Sequence, residues 1–361
     1  MKAIVVGAGV LGAATADALV ARGWGVTVVE QYAPANARGS SGDRTRLLRL
    51  GHGEFGAEDD LRYIRSAARG VALWRALDEQ YGGRLLEPTG LVWLAADDGG
   101  PEDVVAQRMD AAGAPYERLT PAATAALFPG MAVDDLAFSL YEPDACVIRA
   151  GDAVTALLRR ATDGGARLVL DRARPAGAHT VALRGGETRA DAVVWACGAW
   201  LGALWPALAP VRPSWQDVLH WSAPPGWRDG PAWFDERVGL YGFPDVDGLG
   251  IKAVSHTPGP TLDLDHDARV PARAAADAVA AYLARRFPPL AGAGLLWARV
   301  MPYEMTPDSH FVAGPADMDG HWLLGGGSGH AFKHAPGLGE HLADLIEGRD
   351  AVVPMWRPRQ G

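Results

Sequence analysis

Residues 1–30, MKAIVVGAGVLGAATADALVARGWGVTVVE, read as a strand, a glycine turn, a helix and a second strand. Ala3 to Val6 form an apolar, β-branched run that ends at Gly7, and G-x-G-x-x-G follows as Gly7, Gly9 and Gly12. An alanine-rich helix extends to about Arg22, Gly23 and Gly25 stop it, and Val26 to Val29 form a strand closing on Glu30. Each piece has a chemical reason. Gly7 permits the turn, Gly9 lets backbone approach a pyrophosphate, and Gly12 lets helix pack closely on strand. Val10 and Leu11 open a helix whose unpaired N–H groups suit phosphate. Glu30, with Gln31 beside it, stands where a carboxylate can accept hydrogen bonds from ribose hydroxyls. The expected ligand is an adenine dinucleotide, NAD or FAD.

The chain has 361 residues, enough for a large core and one or two domains. Its net charge of −9 and lack of a basic run argue against nucleic-acid binding. No apolar run is long enough to span a membrane, and the first strand begins so early that no room is left for a signal peptide. A cytoplasmic protein, monomer or homodimer, is expected. The two cysteines, Cys146 and Cys197, make neither a disulfide framework nor a metal-ligand spacing, so no metal is expected. Of 34 basic residues only Lys2, Lys252 and Lys333 are lysine. A lysine kept deep in an arginine-rich chain hints at a role for a compact point charge.

The segment QYAPANARGSSGDRTRLLRLGHGEFG (31–56) reads as a long loop, a length that usually has a function. Asp59 to Tyr81 reads as a helix burying Leu61, Ile64, Ala68, Val71, Trp74 and Leu77. Leu91–Ala95 is a strand, Pro101–Ala112 a helix, and Thr120-Pro121 an N-cap and first helical residue. Strands are expected at Leu136–Tyr141, Ala166–Leu170 (buried), Val181–Leu183 and Ala192–Ala196, with a helix over Gly151–Thr162. The strand ending at Ala196 runs into Cys197, Gly198, Ala199 and Trp200, a small turn suited to close contact with a cofactor. From Pro210 to about Arg299, tryptophans, prolines and short strands alternate around a helix at about Ala272–Phe287. A second strand–glycine–helix unit follows: Trp322–Leu324, Gly325–Gly329 and about Leu338–Ile346. The dinucleotide domain is therefore expected to be assembled from separated segments.

Five stretches in order resemble the glycine oxidase, D-amino-acid oxidase and sarcosine oxidase group of FAD enzymes, most closely the monomeric sarcosine oxidase branch with its N-methyltryptophan and pipecolate oxidase relatives. They are the N-terminal fingerprint; GSSGDRTRLLR (39–49); YGFP (241–244) with GIKAVSH (250–256); MPYEMTPDSHF (301–311); and GSGHAFK (327–333). The resemblance implies an α/β fold: a Rossmann-like, glutathione-reductase-like FAD-binding domain of the D-amino-acid oxidase type, joined to an antiparallel-sheet substrate domain. The first is expected over roughly 1–84, 145–212 and 312–361, the second over roughly 85–144 and 213–311. It also implies oxidation of a C–N bond in a secondary or primary amino acid or related amine. Hydride would pass to flavin N5 to give an imine, and O2 would be reduced to hydrogen peroxide. The alternative is a dehydrogenase or biosynthetic tailoring enzyme with another acceptor.

By the same resemblance, Arg46 lies by the flavin and Lys252 where oxygen reacts, with His256 and Tyr303 completing a catalytic set. Arg49 and Lys333 would hold the substrate carboxylate, Tyr241 would line the pocket, and Glu304 could recognise a second polar group on the substrate. Ser40, Ser41, Cys197, Gly198, Trp200, Met301, Gly327, Gly329, His330, Ala331, Phe332 and Lys333 join the expected cofactor contacts. One departure is chemical. Met301 stands where sarcosine oxidase carries its flavin-attaching cysteine, and a thioether cannot form that bond, so non-covalent FAD is expected. Ser41 and Gly42 likewise replace histidines, and Glu304 a neutral hydroxyl residue.

Overall fold

In the computed structural model, which describes residues 1–246 and 248–359, the first thirty residues fold as their pattern dictates. β1 (Lys2–Val6) and β2 (Gly25–Glu30) pair in parallel, Ala3 opposite Val26 and Val5 opposite Val28, and α1 (Val10–Ala21) connects them. Gly7 has a left-handed φ of 105°, and a Cβ there would lie 2.2 Å from the Ala196 carbonyl oxygen. A Cβ on Gly12 would lie 1.9 Å from the Gly7 carbonyl oxygen. Only glycine permits both the turn and the tight seat of the helix on it.

β1 lies inside a six-stranded sheet ordered Val312–Pro315, His321–Gly325, Ala192–Trp195, β1, β2, Arg167–Leu170. All pairs are parallel except the first, which is antiparallel. Helices Ala150–Asp163 and Ala335–Ile346 pack on α1, the latter so closely that a Cβ on Gly339 would lie 2.6 Å from the Ala14 carbonyl carbon. The strand at Arg167–Leu170, expected to be buried, is an exposed edge instead, with Leu168 41% and Leu170 58% accessible. It pairs with β2 alone, so an apolar run that reads as core lies at the rim.

The second sheet has eight strands, ordered Leu295–Met305, Arg212–Trp221, Ile251–Ser255, Leu240–Phe243, Ala232–Asp235, Leu91–Ala95, Phe138–Glu142, Glu117–Leu119. It is antiparallel except where Ala232–Asp235 meets Leu91–Ala95. Helix Arg273–Arg286 covers it, with Trp233 stacked on Tyr282 at 5.3 Å and Trp227 edge-on to Phe287 at 5.1 Å. The tryptophans of this region build a core.

The stretch read as a continuous loop contains a strand, β3 (Thr45–Leu48), paired with Cys146–Arg149, which also pairs with Leu86–Glu87. Arginines flanking and interrupting the apolar run hide this strand from a hydropathy reading. The following helix, α2 (Ala57–Gln80), buries Ile64, Val71, Trp74 and Leu77 as expected, with Leu61 half-buried. Ala68 faces outward, and Ala67 takes its place, because the helical repeat from Ile64 to Trp74 passes through residue 67. Among the described residues no helix is long and apolar enough to cross a membrane.

Candidate active site

Two cavities meet at the strand Leu295–Met305. The first is a cleft at the carboxyl ends of β1 and β2. Gly7, Gly9, Val10 and Leu11 line one side, Glu30 and Gln31 the end, Ser40 and Ser41 the covering loop, and Cys197, Gly198 and Trp200 the other side. Gly12 sits beneath the turn. The Glu30 carboxylate accepts the Ala8 N–H at 2.8 Å and the Tyr32 N–H at 2.9 Å, which fixes it at the tip of β2. Ser41 Oγ accepts the Val10 N–H at 3.0 Å, tying the loop to the N-terminus of α1. A Cβ on Gly9 would meet only that serine side chain, so the backbone there is open to a ligand. Both cysteines are free, and burial pushes the Cys146 thiol up to about 12 and raises that of Cys197, so neither is a ready thiolate.

The second cavity gathers Arg46, Arg49, Tyr241, Lys252 and His256 with Met301, Tyr303, Gly329, His330, Phe332 and Lys333. These come from β3, from three strands of the large sheet and from the glycine turn before the last helix. Glu304 lies elsewhere. Successive strand residues point to opposite faces, so Tyr303 enters the second cavity and Glu304 the first. The substrate-facing position expected for Glu304 is corrected accordingly. Gly327 and Ala331 pack on each other behind the walls, Gly327 also against Glu304.

Lys252 and Lys333 are both 2% exposed. Lys252 Nζ is 2.5 Å from Asp43 Oδ2 and donates to the Thr45 carbonyl oxygen at 3.3 Å, and Arg46 reaches the same Asp43 oxygen at 2.8 Å. Burial lowers Lys252 to about 8 against the opposing pull of Asp43. Burial acts to raise Asp43, but Lys252 and Arg46 together hold its carboxyl far below the usual carboxylate range. Arg46 also bonds the Ser40 carbonyl oxygen and touches Met301 Sδ at 3.5 Å. Lys333 has a different setting. Its Nζ donates to the His330 carbonyl oxygen at 3.2 Å, and among the described residues no carboxylate lies within ion-pairing distance. Burial, then Arg49, lowers it well below the ordinary lysine value. Arg49 bonds the Gly51 carbonyl, pairs with Glu54 at 3.3 Å and lies over Trp93 at 4.8 Å. The Tyr241 and Tyr303 hydroxyls are 3.4 Å apart, and His256 is half-buried at the mouth, 3.8 Å from Glu236.

Three residues that the sequence did not single out belong to this neighbourhood. Asp43 is one; an acid beside two arginines, inside the segment that supplies Arg46 and Arg49, was the available signal. His52 and His334 are the others, clustered with His330 so that a nitrogen of each lies within 4.8 Å of the rest, a metal-ligand set by distance alone. Their setting disfavours a cation, since Lys333 and Arg49 stand beside them. Burial and those charges lower all three histidines, leaving neutral rings packed with Tyr63 and Phe311 beneath Lys333.

A parallel βαβ unit with an open glycine turn, an acid anchored at the tip of β2 and a buried cationic cavity next door fit a dinucleotide-dependent redox enzyme. The chain belongs to the DAO family of FAD-dependent oxidoreductases, whose family model matches residues 2–345. It is 30% identical to monomeric sarcosine oxidase of Streptomyces avermitilis over 99% of this chain and 97% of that protein. It is 26% identical to N-methyl-L-tryptophan oxidase of Yersinia pestis, over 97% of this chain and 96% of that one. The crystal structure of L-proline dehydrogenase from P. horikoshii superposes with a TM-score of 0.86 at 23% identity, covering 99% of this chain and 96% of that one. The protein is an FAD-binding oxidoreductase.

Proposed function

We propose that this enzyme oxidises the C–N bond of a carboxylate-bearing amine, a secondary or primary amino acid or a close relative, to an imine. FAD is held non-covalently, and oxygen is the final acceptor, yielding hydrogen peroxide. The observation that carries this reading is Lys333, a buried cation beside Arg49 with no anion of its own. Burying a charge without a partner is costly, so the corner is built for an anion that arrives with the substrate. Relatives named for oxidation of sarcosine and N-methyl-L-tryptophan support the substrate class.

FAD, when bound, supplies the two-electron acceptor for the C–H bond next to nitrogen. The residues of the chain orient and shield. Arg49 and Lys333 grip the carboxylate through charge-assisted hydrogen bonds, fixing the α-carbon against the wall carrying Met301 and Phe332. Tyr241 and Tyr303 present paired hydroxyls to the amine, and His256 guards the mouth. Lys252 and Arg46 give the opposite corner a net positive charge that favours negative charge developing on oxygen. The six-stranded sheet with its helices forms the FAD-binding part in this reading, and the eight-stranded sheet the substrate-binding part.

A second reading, with a quinone or another flavoprotein as acceptor, is favoured by Asp43, which already neutralises one of the two cations in the oxygen corner. One experiment addresses both readings. The purified holoenzyme is mixed without oxygen with N-methyl, cyclic and primary amino acids, each beside its decarboxylated amine. The expected result is bleaching of the flavin band by an amino acid and not by its amine; equal bleaching by both sinks the carboxylate grip. Oxygen is then admitted: reoxidation with one peroxide formed per bleached flavin supports oxygen, and reoxidation only by a quinone dye supports the second reading. Acid precipitation is expected to release all the flavin, because Met301 cannot hold it covalently.

A further inference from the structure

Glu304 is 8% exposed and lines the cofactor cleft from the wall shared with the Lys252 cavity. Its carboxyl lies by the backbone N–H groups of Gly326 and Gly327, and Oε2 is buried with no hydrogen-bond partner. Three glycines surround it. A Cβ on Gly198 would lie 4.0 Å from Oε2, one on Gly325 3.4 Å from it, and one on Gly327 2.9 Å from Oε1. A buried oxygen left without a partner is costly, and glycines on three sides keep room beside it. The cleft has an order. Glu30 marks one end, the Gly7–Gly9 turn and the N-terminus of α1 the middle, and Gly198 with Glu304 the end nearest the substrate cavity.

We propose that Glu304 is a cofactor ligand, its free carboxyl oxygen hydrogen-bonding a hydroxyl of the ribityl chain of FAD. A dinucleotide laid along this order, ribose at Glu30 and phosphates at α1, brings the polyhydroxylated linker between phosphate and ring to Glu304. The inference rests on FAD binding alone and not on the substrate reading. The ionisable groups near Glu304 are the Cys197 thiol and, on the other side of that thiol, Glu30; among the described residues no cation pairs with it. Burial raises the Glu304 carboxyl to about 7, against the opposing pull of the Gly326 and Gly327 N–H groups. Phosphates entering the same cleft favour the neutral carboxyl further. FAD binding therefore draws in a proton above neutral pH.

The test strips FAD from the holoenzyme and titrates it back by flavin-fluorescence quenching at about pH 6 and about pH 8.5. Wild type is expected to bind roughly tenfold more weakly at the higher pH. Glu304→Gln, neutral at both values and of the same shape, keeps the affinity of the lower pH throughout. Glu304→Ala binds roughly tenfold more weakly at pH 6, the loss of one buried hydrogen bond. Calorimetry in two buffers of different ionisation enthalpy should show proton uptake by wild type near pH 8 and none by the glutamine variant. A glutamine variant with the pH dependence of wild type, or an alanine variant within about twofold of it, overturns the proposal. If the alanine apoprotein melts early, the glutamine variant alone decides between these outcomes.

Discussion

The two corners of the second cavity contain the same residue at the same burial in opposite electrical states. At one, Lys252 and Arg46 share the carboxylate of Asp43, which is wholly enclosed. At the other, Lys333 and Arg49 converge with no paired carboxylate among the described residues: Glu54 is an exposed partner of Arg49 at the rim, and Glu142, which also acts on Lys333, is taken up by the Leu50 and Gly51 N–H groups and Trp93. The first corner is complete without a ligand; the second is not. An ion pair found at a site thus says what the fold supplies, and in the proposed reading a missing one says what the substrate brings.

The comparison can be broken in several ways, and the largest effect belongs to the complete corner. Asp43→Ala leaves two buried cations facing each other and should cost about 3–5 kcal/mol of unfolding free energy in urea. Because the Asp43 carboxyl is depressed in the folded state, its contribution is present above the ordinary carboxylate range and lost as pH falls through its own lower value. Lys333→Met comes next. It should lower kcat/KM for a carboxylate substrate roughly a hundredfold. Stability should stay level or rise, since an unpartnered buried charge is removed; a large loss of stability would mean that Lys333 has an internal partner after all.

A smaller effect concerns pH. With Lys252 near 8, reoxidation by oxygen should slow as pH rises through 8 in wild type, as the amine loses its charge. Lys252→Met should be slow at every pH, with anaerobic flavin reduction intact; equal reoxidation rates in the two proteins would remove Lys252 from that role. The smallest effect is expected of Glu54→Gln, a change in KM below about fivefold, because an exposed pair contributes at most about 1 kcal/mol.

Local rules made much of this legible in the sequence. Gly7, Gly12 and Glu30 announce their positions because turn, close packing and strand end each demand one residue type. The lysine scarcity pointed to Lys252 and Lys333 before either was seen to be buried. What stayed hidden depends on contacts between distant residues. Asp43 meets Lys252 across more than two hundred positions, a distance no spacing rule bridges. Which cavity Glu304 enters stayed open, because strand alternation gives two faces but not which cavity each face meets. His52 falls in the long loop and His334 between the glycine turn and the last helix, and nothing in the sequence brings them together as the fold does under Lys333.

The loop over the cofactor cleft belongs by sequence to the six-stranded sheet, yet arginines of the other half hold it. Arg299 bonds the carbonyls of Gly42 at 2.8 Å and Ala37 at 2.5 Å, Arg269 bonds that of Arg38 at 2.7 Å, and Arg38 in turn bonds that of Leu264 at 2.9 Å. A border between the two large sheets crossed by such stitches is a poor fracture line. The two halves should melt in one cooperative transition, and a protease that cuts the loop should loosen both at once.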